Sequence, residues 1–323
     1  MKLSQKLKMY DKFISSVIVL KPEHLNNINS YLINVHKILE NNFSHFEIIL
    51  VNNCVTQDVN ELTDDLEQKI KKDIWVVNLS KKINYDNVII AGLDRANGDY
   101  TIILDFNYKN NPNHIVSLFQ QSQKNYDIVY LKYKNRTISK GKIIFYKLFY
   151  YFMNKYSDFN IDINIHESRI ISRRALNGIL LLRENLRYMK GIYSIVGYKT
   201  YSIEVDIPAH DSTNFKQQFK SFIIAITSFT GLLSKLFLWM FFTSIIFIIF
   251  VSVNAIKIKY SGYNIFGNYI DQLPVGWTFI VILLSIIFTT IIFMLYLISI
   301  YLDNIYKEVK NRPIYIVESF QRL

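Results

Sequence analysis

Apolar residues fall into two regimes along this chain. Up to about residue 205 they form short β-branched clusters separated by polar segments with helical periodicity. Phe13–Leu20 reads as a buried first strand, and Ile28, Leu32, Val35 and Leu39 then recur at helical spacing. Glu47–Val51 is a second strand ending at Asn52-Asn53, and a polar helix over about 59–71 leads to a third strand, Ile74–Leu79. The loop Ser80–Asn84 opens a helix that ends near Asn97, with Asn97-Gly98 as a left-handed stop. Tyr100–Leu104, Asp127–Leu131 and Ile203–Val205 read as further strands. Strand and helix in alternation predict an α/β domain with a largely parallel, doubly wound sheet over residues 1–212.

The second regime is greasier. Over 213–234 Phe219, Phe222, Ile223, Ile226 and Phe229 share one side, with Lys216 and Lys220 among the polar positions. This suits an amphipathic helix at a membrane interface, with a plain core helix as the other reading. Neither Leu236–Ile256 nor Val275–Tyr301 contains a charged residue. A bilayer crossing needs roughly 20 such residues, so a hairpin of two transmembrane helices (about 236–256 and 275–301) is expected within 235–302. Basic flanks (Lys216, Lys220, Lys235 before; Lys307, Lys310, Arg312, Arg322 after) outweigh the charges of the intervening loop. The positive-inside rule then puts residues 1–212 and the tail 303–323 in the cytosol, in a multi-pass protein of the plasma (inner) membrane.

Charge changes the list of partners. The net charge of +11 would invite nucleic acid in a soluble protein, yet no nucleic-acid module is recognisable. Beside two apolar runs the acidic partner becomes a membrane headgroup or a phosphate-bearing substrate. Cys54, the single cysteine, excludes an intrachain disulfide and a zinc cluster. Met1–Asp11 is polar and basic, so no secretory signal is expected there.

Candidate chemistry centres on Asp105, where an apolar strand stops abruptly before Asn107, Lys109, Asn110, Asn111 and Pro112. A carboxylate at the carboxyl end of a buried α/β strand stands where such sheets bind ligands, and its oxygens suit a hard cation. Ala91-Gly92-Leu93-Asp94-Arg95-Ala96-Asn97-Gly98-Asp99, the strand after it and Asp105-Phe106-Asn107 resemble the family 2 glycosyltransferases. Within them the chain resembles the membrane-anchored polyisoprenyl-phosphate glycosyltransferases of the dolichol-phosphate-mannose-synthase type. Glu167-Ser168-Arg169, Arg187-Tyr188-Met189-Lys190-Gly191 and the tail run Tyr306–Tyr315 extend the likeness across nearly the whole chain.

The resemblance implies a GT-A fold and a set of roles. Glu23 or His24, with Asn53 and Lys81, would line the nucleotide site. Asp105 and Asn107 would hold Mg2+ or Mn2+ against the diphosphate. Arg169, Arg187 and Lys190 would meet the lipid phosphate or the diphosphate, and Glu167 would orient the acceptor or take its proton. The expected reaction is inverting transfer of a hexose from a nucleotide sugar, UDP-linked, to polyprenyl phosphate, feeding cell-envelope polysaccharide, in a homo-oligomer without nucleic acid. Several family carboxylates are replaced, at Asn52, Asn53, Gln57 and Asn107, and Tyr85 stands where the family has Lys. Those losses motivate the alternative, a weak or inactive relative serving as a membrane scaffold or assembly subunit.

Overall fold

A computed structural model describes residues 9–55, 58–105, 114–134, 164–182, 189–206, 261–269, 275–309 and 313–323, with isolated positions between them. β1 (Tyr10–Leu20) is buried without interruption from Ile14 to Leu20, as a strand covered on both faces must be. It pairs in parallel with β2 (Phe43–Asn52) and β4 (Tyr100–Leu104), and β2 pairs in parallel with β3 (Ile74–Leu79). The crossover helix α1 (Ile28–Asn42) buries Tyr31, Leu32, Val35, His36 and Leu39, the apolar stripe expected from the spacing.

Between β2 and β3 the expected single helix over 59–71 is two short ones, α2 (Val59–Leu62) and α3 (Gln68–Lys71). Thr63 causes the break. Its hydroxyl donates back to the Val59 carbonyl at 2.7 Å, and the following Asp64-Asp65 pair offers little helical propensity. α4 (Tyr85–Arg95) also departs from expectation, because it ends at Ala96 in an extended conformation and Gly98 is not left-handed. Gly98 is needed for closeness instead. A Cβ there would lie 2.6 Å from the Ser15 amide nitrogen and 2.8 Å from the Phe13 carbonyl.

The sheet is mixed rather than largely parallel. β6 (Ile165–Ser172) runs antiparallel between β4 and β5 (Ile128–Tyr133), and β7 (Thr200–Val205) pairs in parallel with β5. The chain's last strand, β8 (Val317–Arg322), runs antiparallel along β3, giving the described order β7-β5-β6-β4-β1-β2-β3-β8. Among the described residues, helices α5 (His114–Ser122), α6 (Arg173–Leu181) and α7 (Met189–Ile195) follow in this part of the chain. Side chains fasten β8 and the residues just before it: Phe320 stacks on Trp75 at 4.9 Å, the Arg95 guanidinium lies 4.1 Å over Phe320, and the Tyr315 hydroxyl donates to Asp94 at 2.6 Å.

The chain divides into two compact units, Met1–Ala225 with Arg312–Leu323, and Ile226–Asn311. The second contains α8 (Val275–Val309), 35 residues long. Counted over the described residues alone, no helix is long and apolar enough to cross a membrane, so the expected hairpin is not shown. Most of its first run and all of 213–234 lie outside the described residues.

Candidate active site

Parallel strands deliver their carboxyl ends to one rim, where α/β sheets form clefts. Register sets Leu20 beside Asn52 and Ile18 beside Leu104, so Lys21, Asn53 and Asp105 follow their strands onto that shared rim. Asp105 is buried, only 6 % exposed. The Lys21 ammonium lies 3.7 Å from one carboxylate oxygen and 4.8 Å from the centre of the Tyr85 ring. On the other oxygen, His166 Nε2 approaches to 3.6 Å from the antiparallel β6.

β6 fixes that imidazole. The Ser168 amide donates to His166 Nδ1 at 2.9 Å, which leaves the proton of the neutral ring on Nε2, facing Asp105. Burial pushes the His166 pKa down to about 4 against the pull of Asp105 and Glu167, so the ring is neutral at pH 7. The Ser168 hydroxyl accepts from the Asp105 amide at 3.0 Å and ties the two strand ends together.

The next residue on β6, Glu167, faces the cations. Lys190 from α7 lies 3.2 Å from one oxygen and Arg169 3.9 Å from the other. Burial alone would raise this carboxyl, but the two cations hold it down to about 2. Glu167 is therefore a carboxylate across the neutral range and a poor proton acceptor. Arg169 is buried, with Nε donating to the Glu167 carbonyl and Nη2 to the His166 carbonyl, both at 3.0 Å, and its face 3.8 Å from the Tyr193 ring. Those contacts make it a clamp on β6, whereas the resemblance implied a phosphate ligand.

Three residues enter the site that the sequence reading did not single out. Lys21 and His166 are two. The third is Asp86, in the first turn of α4, which accepts from the Met189 amide at 3.4 Å. Desolvation and then the Glu167 charge raise its pKa to about 7. A carboxylate two residues after the helix cap Asn84, beside a loop already assigned to the nucleotide, was the available signal. Asn53, expected at the base, uses both ends of its amide on the Ile83 backbone, donating at 3.0 Å and accepting at 2.9 Å. It pins the loop that carries exposed Lys81. Glu23 and His24 belong to a 3-10 turn, Pro22–Asn27, but their side chains, like Asn107 and Arg187, lie outside the described residues.

Among the described residues no group of three His, Cys, Asp or Glu could hold a metal ion. Asp105 fits the sparser kind of site, in which one carboxylate meets the ion and phosphate oxygens with water complete the shell. Lys21 would have to yield its place to such an ion.

Residues 25–180 match the family model described as Glycosyl transferase family 2. An uncharacterised glycosyltransferase of Synechocystis is 25% identical over 281 residues, which cover 85% of each chain. A prophage-derived bactoprenol glucosyl transferase of Shigella flexneri is 28% identical over 258 residues, covering 77% of this chain and 81% of that protein. Among solved structures, glucosyl-3-phosphoglycerate synthase of Mycobacterium tuberculosis, crystallised with Mn2+, uridine diphosphate and glucosyl-3-phosphoglycerate, is similar at a TM-score of 0.46 and 12% identity, over 67% of this chain and 78% of that one.

Proposed function

The chain is a glycosyltransferase built on a family 2 domain, and from that premise we propose that it moves a sugar from a nucleotide sugar, a uridine diphosphate sugar, to polyprenyl phosphate at the cytosolic face of the plasma membrane. The observation that carries the reading is the pairing of two charge clusters at one rim: Asp105 with Lys21 and His166, and Glu167 with Lys190.

In this reading the first cluster receives the diphosphate and the second the acceptor. An acceptor phosphate is already ionised near pH 7, so no strong base is required. A Glu167 held to about 2 suits that chemistry, since it fixes Lys190 in place and leaves proton abstraction out of the reaction. Lys190 can then meet a phosphate oxygen as a positioned point charge. A divalent cation, Mg2+ or Mn2+, bound at Asp105 would add Lewis-acid charge at the leaving group. A single displacement from the face opposite the diphosphate would invert the anomeric centre.

The lipid acceptor is supported by the bactoprenol glucosyl transferase relative. The membrane is supported by α8, whose exposed Phe279, Leu284, Phe288, Ile291, Leu295 and Leu302 would be costly in water. The unit containing β1–β7 gives way to the second unit after Ala225 and resumes at Arg312 to form β8. A chain with that connectivity crosses a bilayer an even number of times, so a hairpin satisfies it. The deciding experiment incubates membranes carrying the protein with a panel of radiolabelled nucleotide sugars and polyprenyl phosphate. Label should enter the organic phase with one sugar and fall by a factor of about 10² or more in Asp105→Ala. No labelled lipid from any sugar, or equal label from the variant, would sink the reading.

A further inference from the structure

We propose that Lys21 is a diphosphate-binding cation of the transfer site, supplying positive charge to the leaving group from the protein itself. The inference rests on the nucleotide-sugar reading above and adds a residue to it.

Lys21 is the first residue beyond β1, on the rim it shares with Asp105 at the end of the neighbouring β4. Its ammonium stands 3.7 Å from the Asp105 carboxylate, beyond hydrogen-bond length, so it balances that charge without committing its protons there. The Tyr85 ring, 4.8 Å away, gives the ammonium a face to rest on. The side chain is 29% exposed, so the head group reaches the cleft while part of the stem is covered.

Lys190 is hydrogen-bond close to Glu167, and Arg169 is buried with two donors on backbone carbonyls, so both are held on the Glu167 side of the rim. A diphosphate brought to a rim bearing Asp105 would meet like charge, and Lys21, already beside that carboxylate, is placed to offset it. During transfer the C1–O bond to the diphosphate breaks and its electron pair stays on the β-phosphate oxygen. An acceptor phosphate oxygen forms the new bond to C1, and Lys21 donates a hydrogen bond to the departing oxygen. Asp105 would hold a divalent cation when one is bound, and that ion would add its charge to the one Lys21 supplies. Without the divalent ion, Lys21 leaves the site with a residual grip on the diphosphate.

The test is calorimetry on the full-length, detergent-solubilised protein, titrating UDP, uridine, GDP and guanosine in EDTA and again with Mn2+. The wild-type protein should bind one nucleoside diphosphate at least tenfold more tightly than its nucleoside in EDTA. Lys21→Met should erase that gap with nucleoside affinity unchanged, which also shows that the variant is folded, and Lys21→Arg should keep most of it. If Lys21→Met matches wild type in EDTA, or the wild type shows no gap there while Mn2+ restores one, the role of Lys21 is refuted and the nucleotide reading stands. If no diphosphate binds under either condition, the nucleotide reading fails and Lys21 with it.

Discussion

Asp86 shows how much a single side chain owes to its surroundings. Desolvation first, and Glu167 second, raise its carboxyl from an ordinary 3.8 to about 7. The folded protein therefore keeps a proton that the unfolded chain releases, and stability falls as pH rises between those two values. Above about 7 the full penalty is present; below about 4 it is absent. Asp86→Asn should raise the urea midpoint at pH 8 and leave it almost unchanged at pH 4, and a variant with equal midpoints at pH 8 would refute the account. Glu167 behaves in the opposite sense, because Lys190 and Arg169 overcome its burial. Lys190→Met should cost ~1–3 kcal/mol in chemical unfolding, since it strips a half-buried carboxylate of its nearest partner. Asp105 was legible in the sequence because a greasy strand stops there without transition. His166 was not, because its contact with Asp105 joins strands some sixty residues apart, and nothing local marks such a pairing.

Whole elements were easier to read than their ends. Ile74–Leu79 and Tyr100–Leu104 appear with the expected boundaries, since each is a short apolar run bounded by polar residues. The 59–71 segment failed as one helix because the Thr63 back-bond competes with the next turn. Glycines decide how closely the elements approach. A Cβ on Gly92 would fall 2.4 Å from Val17 Cγ1 and 2.9 Å from Val51 Cγ2, so α4 lies on β1 and β2 with no room for a methyl group. Gly92→Ala should therefore destabilise by ~1–3 kcal/mol and displace Tyr85 and Asp86, which the same helix carries to the rim. Gly98→Ala meets backbone atoms of Phe13 and Ser15 and should cost at least as much, at the opposite end of the strands. Thermal melts alone would not separate the two. Transfer activity would, falling for Gly92→Ala in the surviving folded fraction and persisting there for Gly98→Ala.

At the scale of the molecule, strand and helix alternation foretold the α/β class and the parallel middle of the sheet. It missed the antiparallel strands at either side, because hydrophobic pattern carries no strand direction. β8 was the least visible of them. Val317–Arg322 is short, apolar only at Val317 and Phe320, and far from β3 in sequence, the hydrogen-bonded Asn78 and Ser319 standing 241 positions apart. Deleting 313–323 should lower the melting temperature by several degrees and bare Trp75, which fluorescence would report as a red-shifted emission. An unchanged spectrum would mean that β8 does not cover that edge.

The place of β8 also has a temporal side. A ribosome makes residues 317–322 only after β1–β7 and the second unit, so the open flank of β3 must wait, unpaired, until then. An interrupted translation product would carry that sticky flank permanently and invite clumping with its neighbours. Leu323 is engaged as well, its amide bonded to the Ile74 carbonyl at 3.1 Å, so an insertion directly after it would tug on the seam between β8 and β3.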